Sequence, residues 1–361
     1  MRRTILGHHF FKGSGALSNP PGRFDKQHTD AVDDGWYLEQ APESLDTTLE
    51  PDHARSVLST NDSPDIPFAQ SINPYRGCAH ACPYCYARPS HAYLGLSPGR
   101  DFETRLFYKA DAAGLLEAEL ARPDYVCKPI MLGANTDPYQ PVERRLRVTR
   151  SILEVLARTR HPVMVTTKSA LVLRDLDLLG QMARERLASV AVSVTSLDPE
   201  LKRRMEPQAA SPAARLRALA ALSAAGVPTG VLVAPVIPAL NDHEIEAILE
   251  AAAGAGVRWA GYVLLRLPYE IKHLFTEWLT EHYPQRAEHV LSLIRAMRDG
   301  QLNDAHFGSR MRGTGPYALL LKQRFHLAAR RLNLDSAARD TLNTGLFRPP
   351  APPGSQLRLG L

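Results

Sequence analysis

Six short apolar runs alternate with stretches of helical periodicity, and this alternation limits the possible folds more than any other feature. Unbroken apolar strands between helices predict a parallel sheet that is covered by helices and built from right-handed crossovers. The strands are predicted at 71–75, 129–135, 162–168, 189–195, 229–237 and 259–267, and the helices near 106–121, 143–158, 171–186, 212–225 and 241–254. The predicted fold class is therefore α/β.

Six such units fit a partial (β/α)6 barrel of the TIM type. A doubly wound open sheet has the same periodicity, so the pattern alone does not separate the two architectures. In both, ligand-binding residues gather at the C-terminal ends of the strands. The residues that follow the apolar runs are therefore the first candidates for function.

The composition changes along the chain and predicts four segments. Residues 1–68 are rich in Gly, Pro, Asp and His, which predicts an arm with little regular structure that is draped over the domain. Residues 69–268 form the predicted barrel, and residues 269–335 form a helical C-terminal extension that is interrupted by "FGSRMRGTGPY". The Pro-rich tail, 336–361, is predicted to be disordered.

The overall composition is that of a globular protein in a reducing compartment. The chain has 361 residues, 44% of them hydrophobic, and these are enough for a full core. No apolar stretch follows the initial "MRRTIL", and no run approaches the ~20 apolar residues of a membrane span. Four cysteines make a poor disulfide framework and favour metal or redox use. We expect a cytoplasmic protein, whose net charge of +5 permits an acidic partner such as nucleic acid.

Three of the four cysteines lie in one short segment, "NPYRGCAHACPYCYA", directly after the first predicted strand. The spacing C-x3-C-x2-C places Cys78, Cys82 and Cys85 on one loop at the mouth of the predicted barrel, where they can ligate three corners of a [4Fe-4S] cluster. The fourth iron would stay open to the amino and carboxylate groups of S-adenosylmethionine. Electron transfer into the sulfonium would then cleave this cofactor to a 5′-deoxyadenosyl radical.

A structural zinc site is the alternative for these cysteines. Zinc in such sites takes four protein ligands, and His80, His91 or Cys127 would have to supply the fourth. Zinc ligands usually come as two C-x2-C pairs, and this chain does not have two such pairs. The spacing therefore favours the iron–sulfur cluster.

The cysteine motif, with an aromatic residue directly before its third cysteine, resembles the signature of the radical SAM superfamily, whose fold is a partial (β/α)6 barrel. Further segments resemble the spore photoproduct lyase branch in order and spacing, over about residues 70 to 335. These segments are "CPYCYA", "VTTKS", "VSVTS", "RMEPQAASP", "AAGVPTGVLVAPVIP" and "GTGPY". The N-terminal "GALSNPPGRF" resembles an uncharacterised bacterial subgroup of that branch.

The resemblance implies which residues hold the cofactor. The backbone at Tyr84 would meet the adenine of S-adenosylmethionine. Lys168 and Ser193, polar residues at the ends of the third and fourth strands, would hold its methionine carboxylate and ribose. Ala234 and Pro235, at the end of the fifth strand, match a backbone segment that packs near the adenine.

One position departs from the lyase pattern. In the lyase, a cysteine at the end of the second strand returns a hydrogen atom to the substrate radical, and the matching position here is Asn135. An amide N–H bond is too strong for that step, so this resemblance does not carry the lyase reaction itself to the chain. Tyr84 and Tyr86 match lyase tyrosines that are proposed as a hydrogen-atom relay, and either phenol is a candidate donor.

The substrate class is predicted mainly from the resemblance. Arg310 and Arg312, beside glycines, suit contacts to a phosphate backbone, and Asp137 after the second strand is a further candidate substrate contact. Repair of a base lesion would require the nucleotide to be turned out of its stack into the barrel. A peptide or small-metabolite substrate is the alternative. The radical SAM reading also implies an electron donor such as flavodoxin or ferredoxin.

Overall fold

The computed structural model describes residues 13–25, 46–334 and 341–350. The strands in these ranges are β1 (Thr48–Pro51), β2 (Leu58–Thr60), β3 (Gln70–Ile72), β4 (Tyr75–Arg76), β5 (Arg105–Tyr108), β6 (Ile130–Leu132), β7 (Val163–Thr167), β8 (Ala188–Ser193), β9 (Thr229–Val236) and β10 (Trp259–Leu264). The helices are α1 (Asp101–Thr104), α2 (Ala112–Leu120), α3 (Glu143–Leu146), α4 (Val148–Arg158), α5 (Leu176–Ala183), α6 (Pro199–Met205), α7 (Pro212–Ala224), α8 (Ile245–Gly254), α9 (Ile271–His282), α10 (Ala287–Ala296) and α11 (Gly315–Arg331).

Six of these strands form a parallel sheet in chain order, β3, β6, β7, β8, β9 and β10. The short β2 pairs antiparallel with β3 at one edge, and β10 forms the other edge, so the sheet is not closed. The strand order does not reverse, whereas it reverses in a doubly wound sheet. The predicted partial barrel is therefore confirmed, with all six strands at the predicted places.

Helices cover the sheet because their apolar faces pack on strands that are almost wholly buried. In α4, Ile152, Leu153 and Leu156 are fully buried, while Arg150 points outward to Asp175 and Asp177. The fifth predicted helix begins later than its sequence indicates: α8 starts at Ile245 after a short 3-10 turn. The segment predicted as a helical C-terminal extension contains α9, α10 and α11, and α11 packs against α8 and β10.

The structure corrects the sequence reading in two places. The segment predicted as a helix from 106 begins as strand β5, which joins β1 and β4 in a second, three-stranded sheet. Within the predicted tail, residues 341–350 dock on the barrel, because Leu342 is buried and the Arg348 amide donates to the Thr159 carbonyl. The rest of the predicted tail lies outside the described residues.

Two parts of the predicted arm are described: segment 13–25 contains no helix or strand, whereas residues 46–68 contain β1 and β2. Segment 13–25 packs on the domain: Ala16 and Leu17 are buried. In the described ranges, no helix has the length and apolar character needed to cross a bilayer.

Candidate functional site

The three-cysteine loop, residues 77–104, begins after β4 and ends at β5, two strands of the small three-stranded sheet. The two strands pair antiparallel, Tyr75 with Tyr108 and Arg76 with Phe107, and they close the base of the loop. Gly77 has φ +76°, and a Cβ atom there would lie 2.9 Å from the Phe102 carbonyl oxygen. The loop therefore starts in a left-handed turn that favours glycine.

Arg88 lies inside this loop and is fully buried. Its guanidinium donates to the carbonyl of Cys82 at 2.8 Å and to the carbonyl of Gly99 at 2.7 Å. It also forms an ion pair with Glu103. The Glu103 carboxylate accepts hydrogen bonds from the amides of Gly15 and Ala16, so segment 13–25 is bound to the same pair. Buried charges of this kind are stable only when they are paired.

The three sulfurs are the donor set that an iron–sulfur cluster takes. Cys78 and Cys82 are buried, Cys85 is half-buried, and all three are free thiols. Burial raises the pKa of Cys82 far above its usual range, and burial together with the charge of Cys78 raises the pKa of Cys85 to about 11. Metal ligation requires the thiolate form of each cysteine, and at these buried positions a thiolate needs a cationic partner, which a cluster core would supply. The residues therefore fit the group that the sequence predicts.

A site for a single metal ion would need at least three ligand side chains close to one point. Among the described residues, no three His, Cys, Asp or Glu side chains are placed so that they would hold one metal ion. A cube does not require such an arrangement, since each of its cysteines ligates a different iron.

His80 connects the cysteine loop to the barrel. Its Nδ1 lies 3.4 Å from the carboxylate of Asp137, and its ring lies close to the Cys78 thiol. Asp137 also accepts from the Thr167 hydroxyl and the Lys168 amide, each at 2.7 Å, at the end of β7. Burial alone would raise the pKa of Asp137, but His80 and these hydrogen bonds lower it to about 2. This candidate substrate contact is thus a buried carboxylate that joins the loop to β7.

Glu206 lies at the centre of a buried polar group that sequence reasoning missed. It forms an ion pair with Arg215 and accepts a hydrogen bond from the Tyr84 hydroxyl. The Thr195 hydroxyl donates to it at 2.6 Å, and the Lys168 ammonium lies 3.9 Å away. Glu206 occurs within the quoted "RMEPQAASP", and a lone acid among apolar residues was the available signal.

The residues predicted to hold S-adenosylmethionine lie next to this group. The Lys168 ammonium donates to the Ala234 carbonyl at 3.2 Å. Ser193 is buried, and its carbonyl accepts from Arg215 at 3.0 Å. Pro235 follows Ala234 through a cis peptide bond at the end of β9. The fold thus brings these predicted residues together at the C-terminal ends of the parallel strands β7, β8 and β9.

The two candidate hydrogen donors differ in exposure. The Tyr84 side chain is buried against Glu206, whereas Tyr86 is 47% exposed. The Tyr86 hydroxyl donates to the carbonyl of Ala134, next to Asn135 at the end of β6. The backbone N–H of Asn135 donates to the side-chain oxygen of Asn73 at 2.8 Å. Tyr86 and Asn135 are therefore neighbours at the mouth of the barrel.

The two arginines of the glycine-rich segment occupy different environments. Arg310 is bound to the Asp65 carboxylate at 2.5 Å, with its guanidinium 4.5 Å from the ring centre of Phe307. Arg312 is exposed and lies 5.7 Å from the ring centre of Tyr262. The charge of Arg310 is thus partly neutralised by a carboxylate within the chain.

Comparison with known proteins gives the family. The model of the radical SAM superfamily matches residues 72–252. An uncharacterised protein of Mycobacterium tuberculosis (strain ATCC 25618 / H37Rv) is 39% identical over 232 residues, which are 64% of this chain and 68% of the relative. One of Methanocaldococcus jannaschii is 28% identical over 217 residues, 60% of this chain and 77% of the relative. The chain belongs to the radical SAM superfamily, and this family implies S-adenosylmethionine and an iron–sulfur cluster.

Solved structures show the same fold. Spore photoproduct lyase complexed with dinucleoside spore photoproduct superposes with a TM-score of 0.57 at 16% identity, covering 79% of both chains. A variant of that lyase with bound AdoMet and dinucleoside spore photoproduct gives a TM-score of 0.56 at 16% identity, covering 79% of this chain and 78% of the other. The resemblance to the spore photoproduct lyase branch is confirmed at the level of the fold.

Proposed function

We propose that this radical SAM enzyme holds one [4Fe-4S] cluster on Cys78, Cys82 and Cys85 and acts on a nucleic-acid base. When bound, the cluster supplies the electron that cleaves S-adenosylmethionine to the 5′-deoxyadenosyl radical, which takes a hydrogen atom from the substrate. The observation that carries the proposal is the loop with three free, clustered thiols at the end of β4, beside Lys168 and Ser193.

The chain's own residues divide the work of binding. Lys168 and Ser193 hold the carboxylate and ribose of S-adenosylmethionine, and the backbone at Tyr84 and at Ala234–Pro235 lines its adenine. Glu206 keeps Tyr84 and Lys168 in place through its contacts to both. Tyr86 is the proposed hydrogen donor to the substrate, because its ring is exposed while that of Tyr84 is buried.

The test is anaerobic. Reconstituted protein is given S-adenosylmethionine and dithionite, and 5′-deoxyadenosine is measured by chromatography. We expect product from the wild type and from Cys127→Ala, the matched control that removes the cysteine outside the motif, and none from Cys82→Ala. Equal product from Cys82→Ala and wild type would contradict the three-cysteine assignment. Zinc near one equivalent without iron would favour a zinc module instead.

The substrate class is tested by the salt dependence of binding. Contacts to phosphates make the affinity for single-stranded DNA or RNA fall steeply as salt rises. A flat response would count against a nucleic-acid substrate and favour a peptide or metabolite. For the electron donor, reduction of the cluster by flavodoxin or by ferredoxin, in place of dithionite, is measured in the same assay.

A further inference from the structure

Arg266 follows the sixth strand of the barrel, β10, at the end where the cofactor residues gather. Its guanidinium lies 5.9 Å from the ring centre of Tyr86, one residue beyond the third cysteine. A charged residue at the end of an otherwise apolar barrel strand is placed for function rather than for packing. The proposed function does not use this residue.

The hydrogen-bonding capacity of Arg266 is largely unused within the described residues. Its Nε is buried and has no acceptor, and its Nη1 reaches only the sulfur of Met311, at 3.7 Å. No carboxylate of the described ranges forms an ion pair with it. The Arg266 side chain is half-buried, but its Nε is fully buried, and nearly all buried N–H groups in proteins have an acceptor. The position therefore has room for an acceptor that the described residues do not supply.

The neighbouring positive charges increase the need for an anion at Arg266. Burial lowers the pKa of Arg266, and the positive charge of Arg310 lowers it further. Arg298 also lies nearby, and it is committed to backbone carbonyls, including that of Leu265 at 2.9 Å. Two carboxylates lie in this region: Asp65 is bound to Arg310, and Asp304, whose charge acts on Arg298, is bound to Ser309 and His306. Neither of them forms an ion pair with Arg266, and an external anion would relieve the repulsion among the three guanidinium groups.

We propose that Arg266 is an oxyanion site at which the enzyme binds a phosphodiester of its nucleic-acid substrate. This inference rests on the proposed function for the substrate class. The planar guanidinium donates two parallel hydrogen bonds to phosphate oxygens, which fixes both position and orientation. The exposed Tyr86 ring beside it offers a face on which the adjoining base stacks. Arg266 thereby positions the nucleotide whose base stacks on Tyr86.

The experiment measures binding of a fluorescein-labelled oligothymidylate to the reconstituted enzyme with S-adenosylmethionine, without reductant, over a salt series. We expect Arg266→Met to weaken binding about tenfold, as for loss of a charge-assisted contact. Because one phosphate contact is lost, the slope of log K against log salt should fall by about 0.7. Arg266→Lys keeps the charge, so it should keep the slope. Arg217→Met, which removes an exposed arginine on α7, is the matched control and should behave as wild type.

Two outcomes would overturn the inference. In the first, Arg266→Met binds the oligothymidylate with the affinity and salt slope of wild type. In the second, the wild type does not bind the oligothymidylate but binds oligoaspartate, and this binding is lost in Arg266→Met. A thermal melt checks that each variant is folded, and if Arg266→Met is not, Arg266→Gln takes its place in the same comparison. Production of 5′-deoxyadenosine by the wild type is scored separately. If the enzyme is active but the slope of log K against log salt is the same in wild type and Arg266→Met, this inference alone is refuted. If the enzyme is inactive but the slope falls in Arg266→Met, the proposed chemistry is refuted instead.

Discussion

The carboxylate of Glu206 forms a fully buried ion pair with the guanidinium of Arg215. The pair joins three parts of the site, because Glu206 also accepts from Tyr84 of the cysteine loop and from Thr195 after β8. Burial by itself would raise the pKa of Glu206, but the charges of Arg215 and Lys168 lower it to about 2. The carboxylate is therefore ionised, and its removal would leave an unpaired buried cation.

Glu206→Ala should lower the free energy of unfolding by about 3–5 kcal/mol, since breaking one side of a buried pair leaves the other uncompensated. Urea denaturation at neutral pH measures this change. Glu200→Ala is the matched control, because Glu200 pairs with Arg204 on the exposed surface of α6, and it should cost less than about 1 kcal/mol. Equal losses in the two variants would show that the buried pair has no special role.

The sequence predicted the barrel well because its signal is local. Each strand is a continuous apolar run and each helix has its own periodicity, so the six units could be located without tertiary information. The strand β5 was missed because Arg105–Tyr108 gains its strand conformation only by pairing with β1 and β4. The docked segment 341–350 was missed for the same reason, since its backbone bonds to distant carbonyls.

The site was predictable where spacing encodes chemistry and not where contacts are made across the fold. The cysteines form a motif within eight positions, and Lys168 and Ser193 end apolar strands. Glu206 lies within the segment "RMEPQAASP", but no spacing there assigns it a role, and Arg266 lies in none of the segments that resemble the lyase branch. Their importance comes from what surrounds them: a buried cation beside the first, and no ion-paired carboxylate beside the second. Sequence periodicity does not contain that information.

Lys168→Gln should weaken binding of S-adenosylmethionine about tenfold, because the ammonium is the predicted partner of the cofactor's carboxylate. Equilibrium dialysis on the reconstituted protein measures the affinity. Lys109→Gln is the matched control: its half-buried ammonium also donates to one carbonyl, that of Asn73, but lies outside the predicted cofactor residues. A Lys168→Gln affinity equal to that of Lys109→Gln would remove Lys168 from the cofactor site.

His80→Gln should make the midpoint potential of the cluster more negative. The ring of His80 lies close to the Cys78 sulfur, and a polar N–H group beside a ligand sulfur stabilises the more electron-rich, reduced state. A redox titration followed by electron paramagnetic resonance measures the potential without any turnover.

His91→Gln is the control for this shift. His91 is also buried and lies within the three-cysteine loop, but its Nε2 contacts the Arg105 carbonyl at 2.9 Å. His91→Gln should leave the potential near that of wild type. If both variants shift equally, the effect arises from general loosening of the loop and not from the His80 ring beside the Cys78 sulfur.

Gly15→Ala should detach segment 13–25 from the cysteine loop. A Cβ atom at Gly15 would lie 1.7 Å from the carbonyl oxygen of Ala81, a backbone atom that cannot turn aside. The amide of Ala16, which donates to Glu103 at 2.8 Å, should then exchange with solvent at least tenfold faster. Gly254→Ala is the control, because a Cβ atom there meets nothing within 4 Å. Unchanged exchange at Ala16 in Gly15→Ala would contradict the close packing of this segment.

His161 should make the stability of the barrel depend on pH. The ring is fully buried, with Nδ1 3.0 Å from the Pro162 carbonyl and Nε2 2.7 Å from the Tyr125 hydroxyl. A carbonyl only accepts, so Nδ1 carries a proton. The single proton of the Tyr125 hydroxyl has two acceptors within reach, His161 Nε2 and Gln70 Oε1 at 2.9 Å, so it is burial that favours the neutral ring. Burial lowers the pKa of His161 from 6.5 to about 4.

Because the folded-state pKa is lowered, the neutral ring contributes its full stabilisation above the unfolded pKa, and this contribution is lost as pH falls from 6.5 towards about 4. The loss should be of order 3 kcal/mol. In His161→Phe the unfolding free energy from urea denaturation should fall less over this window than in wild type, whereas His289→Gln, an exposed histidine on α10, should keep the wild-type slope. Parallel slopes for wild type and His161→Phe would mean that His161 takes up its proton equally in the folded and unfolded states, which would contradict the lowered pKa of the buried ring.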